Sequence, residues 1–261
     1  MVSLALRNLE VSYGSRAVLR GVTLPELRGG EVTALLGPNA AGKSTLFRRI
    51  AGQLKGPGTV ALDGRSLDGL PPQHPDQPCY LPQDNAGIAV LTVFEAVLLA
   101  GKQGGGWSVS DAEADTVTRT LALLDIADLA SRNLLELSGG QRQLVSLAQA
   151  LVRQPRTLLL DEPTSALDLQ RQVEVLDLLR RLARQRGVCV VIAIHDLNQA
   201  LRFADQVAVL SGGRMAACGA PAAVLTPALL REVYGVEARL ERCSRGVPFL
   251  TVDGSTRANR A

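Results

Sequence analysis

A glycine-rich loop near the N-terminus constrains this chain more than any other feature. It reads G-P-N-A-A-G-K-S-T at residues 37–45 and directly follows the apolar run 32–36, while Leu46, Phe47 and Ile50 continue at helical spacing. This order predicts a buried strand, a loop whose backbone N–H groups surround phosphate oxygens, and a helix whose N-terminus adds positive charge. A glycine-rich turn that precedes a helix by chance is the alternative interpretation.

Two side chains of this loop are expected to contact phosphate and metal. Lys43 can reach the β- and γ-phosphates of a nucleoside triphosphate, and the hydroxyl of Ser44 can bind Mg²⁺. Lysine is scarce in this arginine-rich chain, which favours a selected role for the compact ammonium at position 43. The residues predicted to bind nucleotide here are Gly37, Pro38, Asn39, Ala40, Ala41, Gly42, Lys43, Ser44 and Thr45.

The composition is that of an ordinary globular protein and argues against several classes. The chain has 261 residues, enough for one large domain or two closely joined ones, and 46% of them are hydrophobic. A net charge of +3 with scattered basic residues does not favour a nucleic-acid partner. No apolar run approaches the roughly 18 residues of a membrane helix. Four widely spaced cysteines are typical of buried thiols in a reducing compartment, so a cytosolic location is expected.

Apolar patterning divides the chain into regions. Residues 1–83 and 156–235 are expected to form one nucleotide-binding core that begins with antiparallel strands, and residues 84–155 a helical subdomain inserted into it. Continuous apolar runs at 157–160 and 188–194 predict strands that are covered on both faces, as in a parallel sheet. The expected fold class is therefore α/β, with a mixed sheet, an antiparallel β subdomain and an inserted α-helical subdomain.

Local signals place helices within these regions. A capping box from Ser110 to Glu113 predicts one helix, preceded by a glycine connector at 104–106. Apolar residues at helical spacing predict a second helix that starts near Gly140. A third helix is expected over 169–186, because a glycine that can cap its C-terminus follows directly.

The last part of the chain carries weaker signals. The run 207–218 predicts a closing hairpin, and a short helix is expected from Pro227. Residues 236–261 form a C-terminal extension of unassigned role, in which the chain from about residue 253 is interpreted as a frayed polar tail.

Two acidic residues follow the predicted strand 157–160. Parallel sheets bind ligands at the carboxyl ends of their strands, so both carboxylates should lie beside the nucleotide. Asp161 is expected to hold Mg²⁺ through water, and Glu162 to orient and polarise the attacking water. The alternative is that the two acids only cap the next helix. Pro163 indicates that the chain turns here.

A second anion site is predicted at residues 137–141, which read L-S-G-G-Q at the start of a helix. The hydroxyl of Ser138, the amides of Gly139 and Gly140 and the helix dipole would together bind phosphate, with Gln141 beside them. One nucleotide has no use for two such cradles. Two chains that face each other head to tail can use both cradles, because each chain can complete the other's nucleotide site. This arrangement predicts a dimer that ATP holds together.

Seven motifs follow one another along the chain: V-S-Y-G at 11–14, the loop 37–45, Y-L-P-Q at 80–83, L-S-G-G-Q at 137–141, L-L-L-D-E-P at 158–163, S-A-L-D at 165–168 and I-H-D at 194–196. In these motifs and their order the chain resembles the ATP-binding-cassette (ABC) ATPases over nearly all of residues 1–235. The resemblance implies a P-loop NTPase core, ATP hydrolysis, and ATP and Mg²⁺ as cofactors.

The resemblance also implies roles for four further residues. Tyr13 would stack on adenine, and Gln83 would contact the metal and sense the γ-phosphate. His195 would hydrogen-bond the γ-phosphate and hold the attacking water, and Asp168 would cross the dimer interface. Taken alone, Tyr13 is equally a half-buried strand aromatic, and a lone histidine is more often structural.

The chain departs from the family pattern at three positions. Position 40 holds alanine where the family usually holds glycine, so an unstrained backbone is expected there. Leu144 and Gln149 stand where many members carry arginine, which argues against a specific salt bridge from that helix.

Four shorter and less specific motifs resemble those of the family branch that imports iron chelates, haem and vitamin B12. They are L-P-Q at 81–83, H-D-L-N-Q-A at 195–200, L-T-P at 225–227 and V-Y-G-V at 233–236. This resemblance implies a second copy of the chain, two membrane-spanning permease subunits and, indirectly, a substrate-binding protein as partners. The expected location is the cytoplasmic face of the bacterial inner membrane, as a peripheral subunit. An exporter ATPase subunit and a non-transport ABC ATPase remain alternatives.

Overall fold

The computed structural model describes residues 2–71, 74–83, 90–102 and 109–256. In chain order the strands are β1 (Ser3–Tyr13), β2 (Arg16–Arg28), β3 (Val32–Leu36), β4 (Thr59–Leu62), β5 (Arg65–Ser66), β6 (Cys79–Leu81), β7 (Thr157–Asp161), β8 (Cys189–Ala193), β9 (Gln206–Ser211), β10 (Arg214–Gly219), β11 (Val236–Arg242) and β12 (Pro248–Ser255). The α-helices are α1 (Lys43–Ile50), α2 (Val93–Gly101), α3 (Asp111–Leu123), α4 (Gly139–Leu151), α5 (Leu169–Arg186), α6 (Leu197–Phe203), α7 (Pro221–Val224) and α8 (Pro227–Tyr234).

A six-stranded sheet of order β10-β9-β3-β8-β7-β6 forms the centre of the molecule. Its strands are parallel except β10, which pairs antiparallel with β9 in the predicted hairpin. Every residue of β3, β7 and β8 is buried, which explains why these strands have continuous apolar sequences. Alternate side chains of these strands pack into two separate hydrophobic cores, one on each face of the sheet. Leu158 and Leu160 lie in one core and Leu159 in the other. The mixed α/β sheet confirms the predicted fold class.

An antiparallel sheet of order β2-β1-β4-β5 covers the face to which Leu159 points. Inward residues of β1 such as Leu4 and Leu6 alternate with more exposed ones and pack with α1 through Phe47. The antiparallel strands predicted ahead of residue 36 are therefore present, and β4 and β5 form a further antiparallel pair. This layer packs against α1, the helix that follows the glycine-rich loop.

Helices α2, α3 and α4 lie between β6 and β7 in the chain, with two short 3₁₀ helices at Ala127–Leu129 and Leu134–Glu136. Ser110 and Glu113 form the predicted capping box of α3, and a second box at Thr92 and Glu95, which the sequence reading did not single out, begins α2. The glycine connector at 104–106 lies outside the described residues. We propose 84–155 as the bounds of the helical subdomain.

The C-terminal extension is a β-hairpin, so the interpretation of the chain from residue 253 as a frayed tail is wrong for its described part. β12 runs to Ser255 and pairs antiparallel with β11. The sequence of β11 alternates apolar and charged residues, and Ala238 and Leu250 are buried in the main core. On the other face, Arg239 forms an ion pair with Asp253 at 2.8 Å.

Asn198 of α6 fastens this hairpin to the core. Its Nδ2 donates to the Leu250 carbonyl at 3.2 Å, and its Oδ1 accepts from the Leu250 N–H at 2.7 Å. Gly235 ends α8 with φ 67° and turns the chain into β11. Asn198 belongs to the motif H-D-L-N-Q-A at 195–200, and the hairpin begins at the end of the motif V-Y-G-V at 233–236. The first motif therefore holds the hairpin that follows the second.

Replacing Asn198 by alanine is expected to loosen the hairpin locally. Two hydrogen bonds are lost, each worth about 1 kcal/mol, so exchange of the Leu250 amide should accelerate by about tenfold or more. Hydrogen–deuterium exchange with fragment analysis measures this. Asn133→Ala is the matched control, because Asn133 Oδ1 accepts from the Leu135 N–H at 2.9 Å far from the hairpin. Equal protection of Leu250 in both variants would refute the docking role.

Candidate nucleotide-binding site

The loop between β3 and α1 is a cradle with a tightly packed glycine at each end. A Cβ at Gly37 would lie 2.1 Å from the Leu210 carbonyl oxygen, and its φ is 147°. Gly42 precedes α1 with φ 107°, a conformation that favours glycine. The backbone can therefore close around a small anion at the carboxyl end of β3.

Lys43 lies within this loop and is buried. Its Nζ donates to the carbonyls of Gly37 at 2.8 Å and Pro38 at 3.3 Å. Burial lowers the pKa of this ammonium, while the negative charges of Glu162 and Asp161 oppose the shift. The charged side chain is thus held over the loop, where phosphate oxygens of a bound nucleotide would meet it.

The backbone conformation at Ala40 differs from the one predicted from the sequence. Its φ is 61°, a left-handed conformation, so the inference that alanine here is unstrained is wrong. A non-glycine residue in this region costs about 1–2 kcal/mol. The loop geometry is set by its neighbours on both sides, and Ala40 adopts the conformation that glycine would adopt freely.

Ala40→Gly is expected to stabilise the protein by about 0.5–1 kcal/mol, because relief of left-handed strain exceeds the added entropy of the unfolded chain. A rise in melting temperature of about 2 °C would report this gain. Ala41→Gly is the matched control: Ala41 is buried and is not among the positive-φ residues, so its replacement should lower the melting temperature. A fall in both variants would contradict the strain assignment.

An open cleft of about 530 Å³ lies over the loop and brings most of the predicted site together. Tyr13 lines it with 47% of its surface exposed, as a side chain that stacks on a base would be. Arg16 and Val18 line it as well. The sequence analysis did not single these two out, although β1 and β2 form a hairpin in which Arg16 pairs with Tyr13.

Three polar side chains meet at the mouth of the same cleft. Glu162 follows β7 and is held by two partners, since Gln83 Nε2 donates to its Oε2 at 3.0 Å and His195 Nε2 contacts its Oε1. The Glu162 side chain is only 16% exposed. A carboxylate fixed by an amide and an imidazole beside a phosphate cradle has the position that a general base for water requires.

The donor set beside the loop fits Mg²⁺. Ser44, Gln83 and Asp161 offer a hydroxyl, an amide and a carboxylate, and Mg²⁺ prefers oxygen ligands from one or two carboxylates together with substrate phosphates. Asp161 is buried, and the Tyr80 hydroxyl donates to its Oδ2 at 3.2 Å. Burial and this carboxylate raise the pKa of Tyr80 to about 12, so the phenol stays protonated and donates. Among the described residues no cluster of three histidine, cysteine or acidic side chains offers a different metal site.

The L-S-G-G-Q segment begins α4 and lies in a different cleft. Ser138 caps the helix, and its hydroxyl accepts from the Gln141 N–H at 3.3 Å. With Asp168, this segment lines a cavity of about 600 Å³, none of whose described lining residues belongs to the cleft over the loop. A Cβ at Gly139 would meet nothing within 4 Å, so packing within one chain does not require glycine there. The structure therefore places Ser138 and the phosphate loop of one chain in different clefts.

The two departures on α4 are accommodated without charge. Leu144 is buried in the main core. Gln149 Nε2 donates to the Ala96 carbonyl at 3.2 Å and so links α4 to α2. Neither contact involves a charged side chain.

The fold and site define a P-loop ATP-binding protein. The family model described as ABC transporter matches residues 19–165, and the chain belongs to this family, whose cassettes are ATPase subunits. An uncharacterised ABC transporter ATP-binding protein of Methanocaldococcus jannaschii is 38% identical over 258 residues, covering 97% of this chain and 99% of that protein. These findings confirm the family that the motifs predicted.

Two further comparisons cover nearly the whole chain. The hemin import ATP-binding protein HmuV of Thermobifida fusca is 40% identical over 256 residues, or 95% of this chain and 88% of that protein. A solved structure of an inward-facing metal-chelate type ABC transporter superposes with a TM-score of 0.83 at 25% identity, covering 99% of this chain and 100% of the other.

Proposed function

We propose that this ABC ATPase hydrolyses ATP to power import of a metal chelate of the haem, iron-siderophore or cobalamin type. The observation that carries hydrolysis is Glu162, fixed by Gln83 and His195 at the mouth of the cleft over the phosphate loop. Import of a chelate is supported by the similarity to hemin import proteins and to a metal-chelate type transporter.

Each part of the cleft has a proposed role in the reaction. The loop 37–45 and Lys43 bind the triphosphate, and Tyr13 stacks on adenine. Ser44, Gln83 and Asp161 would hold Mg²⁺, which when bound would neutralise charge on the phosphates. Glu162 takes the proton of the attacking water, and His195 orients that water and the γ-phosphate.

The dimer follows from the separation of the two anion sites. In one chain, Ser138 and Asp168 lie outside the cleft over the loop. A second copy, related head to tail, would bring its own Ser138, Gly139, Gly140 and Gln141 onto the γ-phosphate. ATP would then be enclosed between two subunits, and its binding and hydrolysis would close and reopen the dimer.

The permease contact is proposed at the surface from Gln83 to Val93. Of this segment, residues 84–89 lie outside the described residues. Val90 is 79% exposed, and Val93 begins α2. Movement of α2 with α4, which are in contact, would transmit dimer closure to the membrane subunits.

We place the chain at the cytoplasmic face of the inner membrane as a peripheral subunit, bound to two membrane-spanning subunits that a substrate-binding protein supplies. Among the described helices, none combines the length and the apolar character of a membrane span.

Transport in liposomes tests the proposal. Purified chain and its membrane subunits are reconstituted with ATP in the lumen and with binding protein and hemin, or an iron-siderophore or cobalamin, outside. Accumulation of one chelate in the lumen is expected, and Glu162→Gln should abolish it. With the chelate loaded into the lumen instead, ATP-dependent movement of the chelate out of the lumen would show an exporter. ATP turnover that no membrane subunit affects would indicate a non-transport ABC ATPase.

A further inference from the structure

We propose that Gln143 of α4 is a positioning residue for Glu162 of the same subunit. The inference rests on the proposed role of Glu162 as the base. Gln143 is the fifth residue of α4 and belongs to none of the motifs that the sequence analysis assigned to nucleotide or metal. Its side chain points to the loop that carries Glu162 and contacts that loop at Glu162 and at Ala166.

Glu162 needs such support because its backbone is strained. Its φ is 53°, a left-handed conformation that costs a non-glycine residue about 1–2 kcal/mol. Strained residues persist only where their surroundings hold them, and they cluster at functional sites. The side chain of Glu162 leaves the backbone at this point, so a change in φ would move its carboxylate away from Gln83 and His195.

The amide of Gln143 closes the turn that follows Glu162. Its Nε2 donates to the Glu162 carbonyl at 2.8 Å, and its Oε1 accepts from the Ala166 N–H at 2.9 Å. Ser165 also donates to the Glu162 carbonyl, from its N–H at 3.2 Å and from its hydroxyl at 3.1 Å. The Glu162 N–H donates to the Ala193 carbonyl of β8 at 3.2 Å. Gln143 is therefore the side chain that ties the Glu162 carbonyl, rather than its N–H, to another element.

A close backbone approach keeps α4 against the same turn. A Cβ at Gly140 would lie 3.0 Å from the Ala166 carbonyl oxygen and 3.4 Å from a methyl carbon of Leu167. The first turn of α4 therefore packs on the loop with little space between them. The helix that presents Ser138 also holds Glu162, so movement of α4 would carry the base of its own subunit.

Gln172 of α5 holds the far part of the loop. Its Nε2 donates to the carbonyls of Thr164 at 3.3 Å and Leu167 at 3.0 Å. Neither bond reaches Glu162. Removal of the Gln143 amide should therefore loosen the Glu162 carbonyl, which then keeps only the bonds from Ser165, while Gln172 still holds Thr164 and Leu167.

Gln143→Ala is expected to lower kcat for ATP hydrolysis about tenfold or more, because small displacements of a catalytic group cost rate steeply. Affinity for a fluorescent ATP analogue should not change. Gln143→Glu keeps an acceptor for the Ala166 N–H but replaces the donor to the Glu162 carbonyl, so it should lose at least as much kcat. Gln149→Ala is the matched control on the same helix, since its amide bonds the Ala96 carbonyl of α2 instead.

The double variant Glu162→Gln/Gln143→Ala separates positioning from general destabilisation. If Gln143 acts through Glu162, residual turnover should equal that of Glu162→Gln alone. Wild-type kcat in Gln143→Ala, an equal loss in Gln149→Ala, a parallel loss of ATP affinity, or a further loss in the double variant would each overturn the inference. Wild-type turnover in Glu162→Gln would instead refute the proposed role of the base.

Discussion

Replacement of Glu162 by glutamine is expected to reduce steady ATP turnover by about a hundredfold or more, which is the range of a lost general base. Glutamine keeps the shape of the side chain and can still bond Gln83 and His195, but it cannot take a proton from water. ATP affinity should therefore stay close to that of the wild type. Phosphate release measures the first effect and equilibrium binding of labelled ATP the second.

This variant should also accumulate as an ATP-bound dimer, because the step that reopens the dimer is missing. Size-exclusion chromatography with ATP and Mg²⁺ detects the change in mass. Glu232→Gln, at an exposed position of α8, is the matched control and should behave as wild type. Rapid turnover in Glu162→Gln would assign the base elsewhere.

Ser138→Arg should abolish hydrolysis by the dimer while each monomer still binds ATP. The substitution puts a bulky cation at the start of α4, in the cleft that is separate from the phosphate loop. The mutated subunit keeps an intact phosphate loop with Lys43, and an intact Tyr13. The substitution therefore disturbs the nucleotide that is bound to the partner subunit. We expect loss of turnover comparable to that of Glu162→Gln, with ATP affinity of the isolated chain unchanged.

Mixing Ser138→Arg with Lys43→Ala provides the complementary experiment. Each variant alone is expected to be inactive, but in a mixed dimer one site combines an intact loop with an intact Ser138. Turnover should therefore reappear on mixing, after subunit exchange has been verified. If the mixture stays as inactive as its parents, each Ser138 serves its own subunit and the trans arrangement is wrong.

The sequence predicted the parts of the fold in which local pattern and burial agree. Strands β7 and β8 are covered on both faces, so their continuous apolar runs could be interpreted without knowledge of the rest of the chain. Helix α5 ends at Arg186 as predicted, because Gly187 adopts the left-handed conformation of a helix cap. The loop 37–45 was recognisable because each of its residue types has a chemical reason to be there.

What escaped prediction depends on contacts between distant segments. The C-terminal hairpin has a period-two pattern in β11, but the pattern spans only 7 residues and its docking partner is Asn198. The left-handed backbone of Ala40 is imposed by the loop around it. Gln143 looks like any polar helix residue until the fold brings it to the Glu162 carbonyl, 19 positions away.

In the proposed dimer, one subunit completes the ATP site of its partner. The most direct measurement is the distance from the Ser138 hydroxyl to the γ-phosphate in an experimental structure of Glu162→Gln with ATP, Mg²⁺ and the membrane subunits. We predict a hydrogen bond of about 3 Å to the nucleotide held by the other subunit's Lys43. Ser138 facing solvent, or bound to the nucleotide of its own chain, would contradict it.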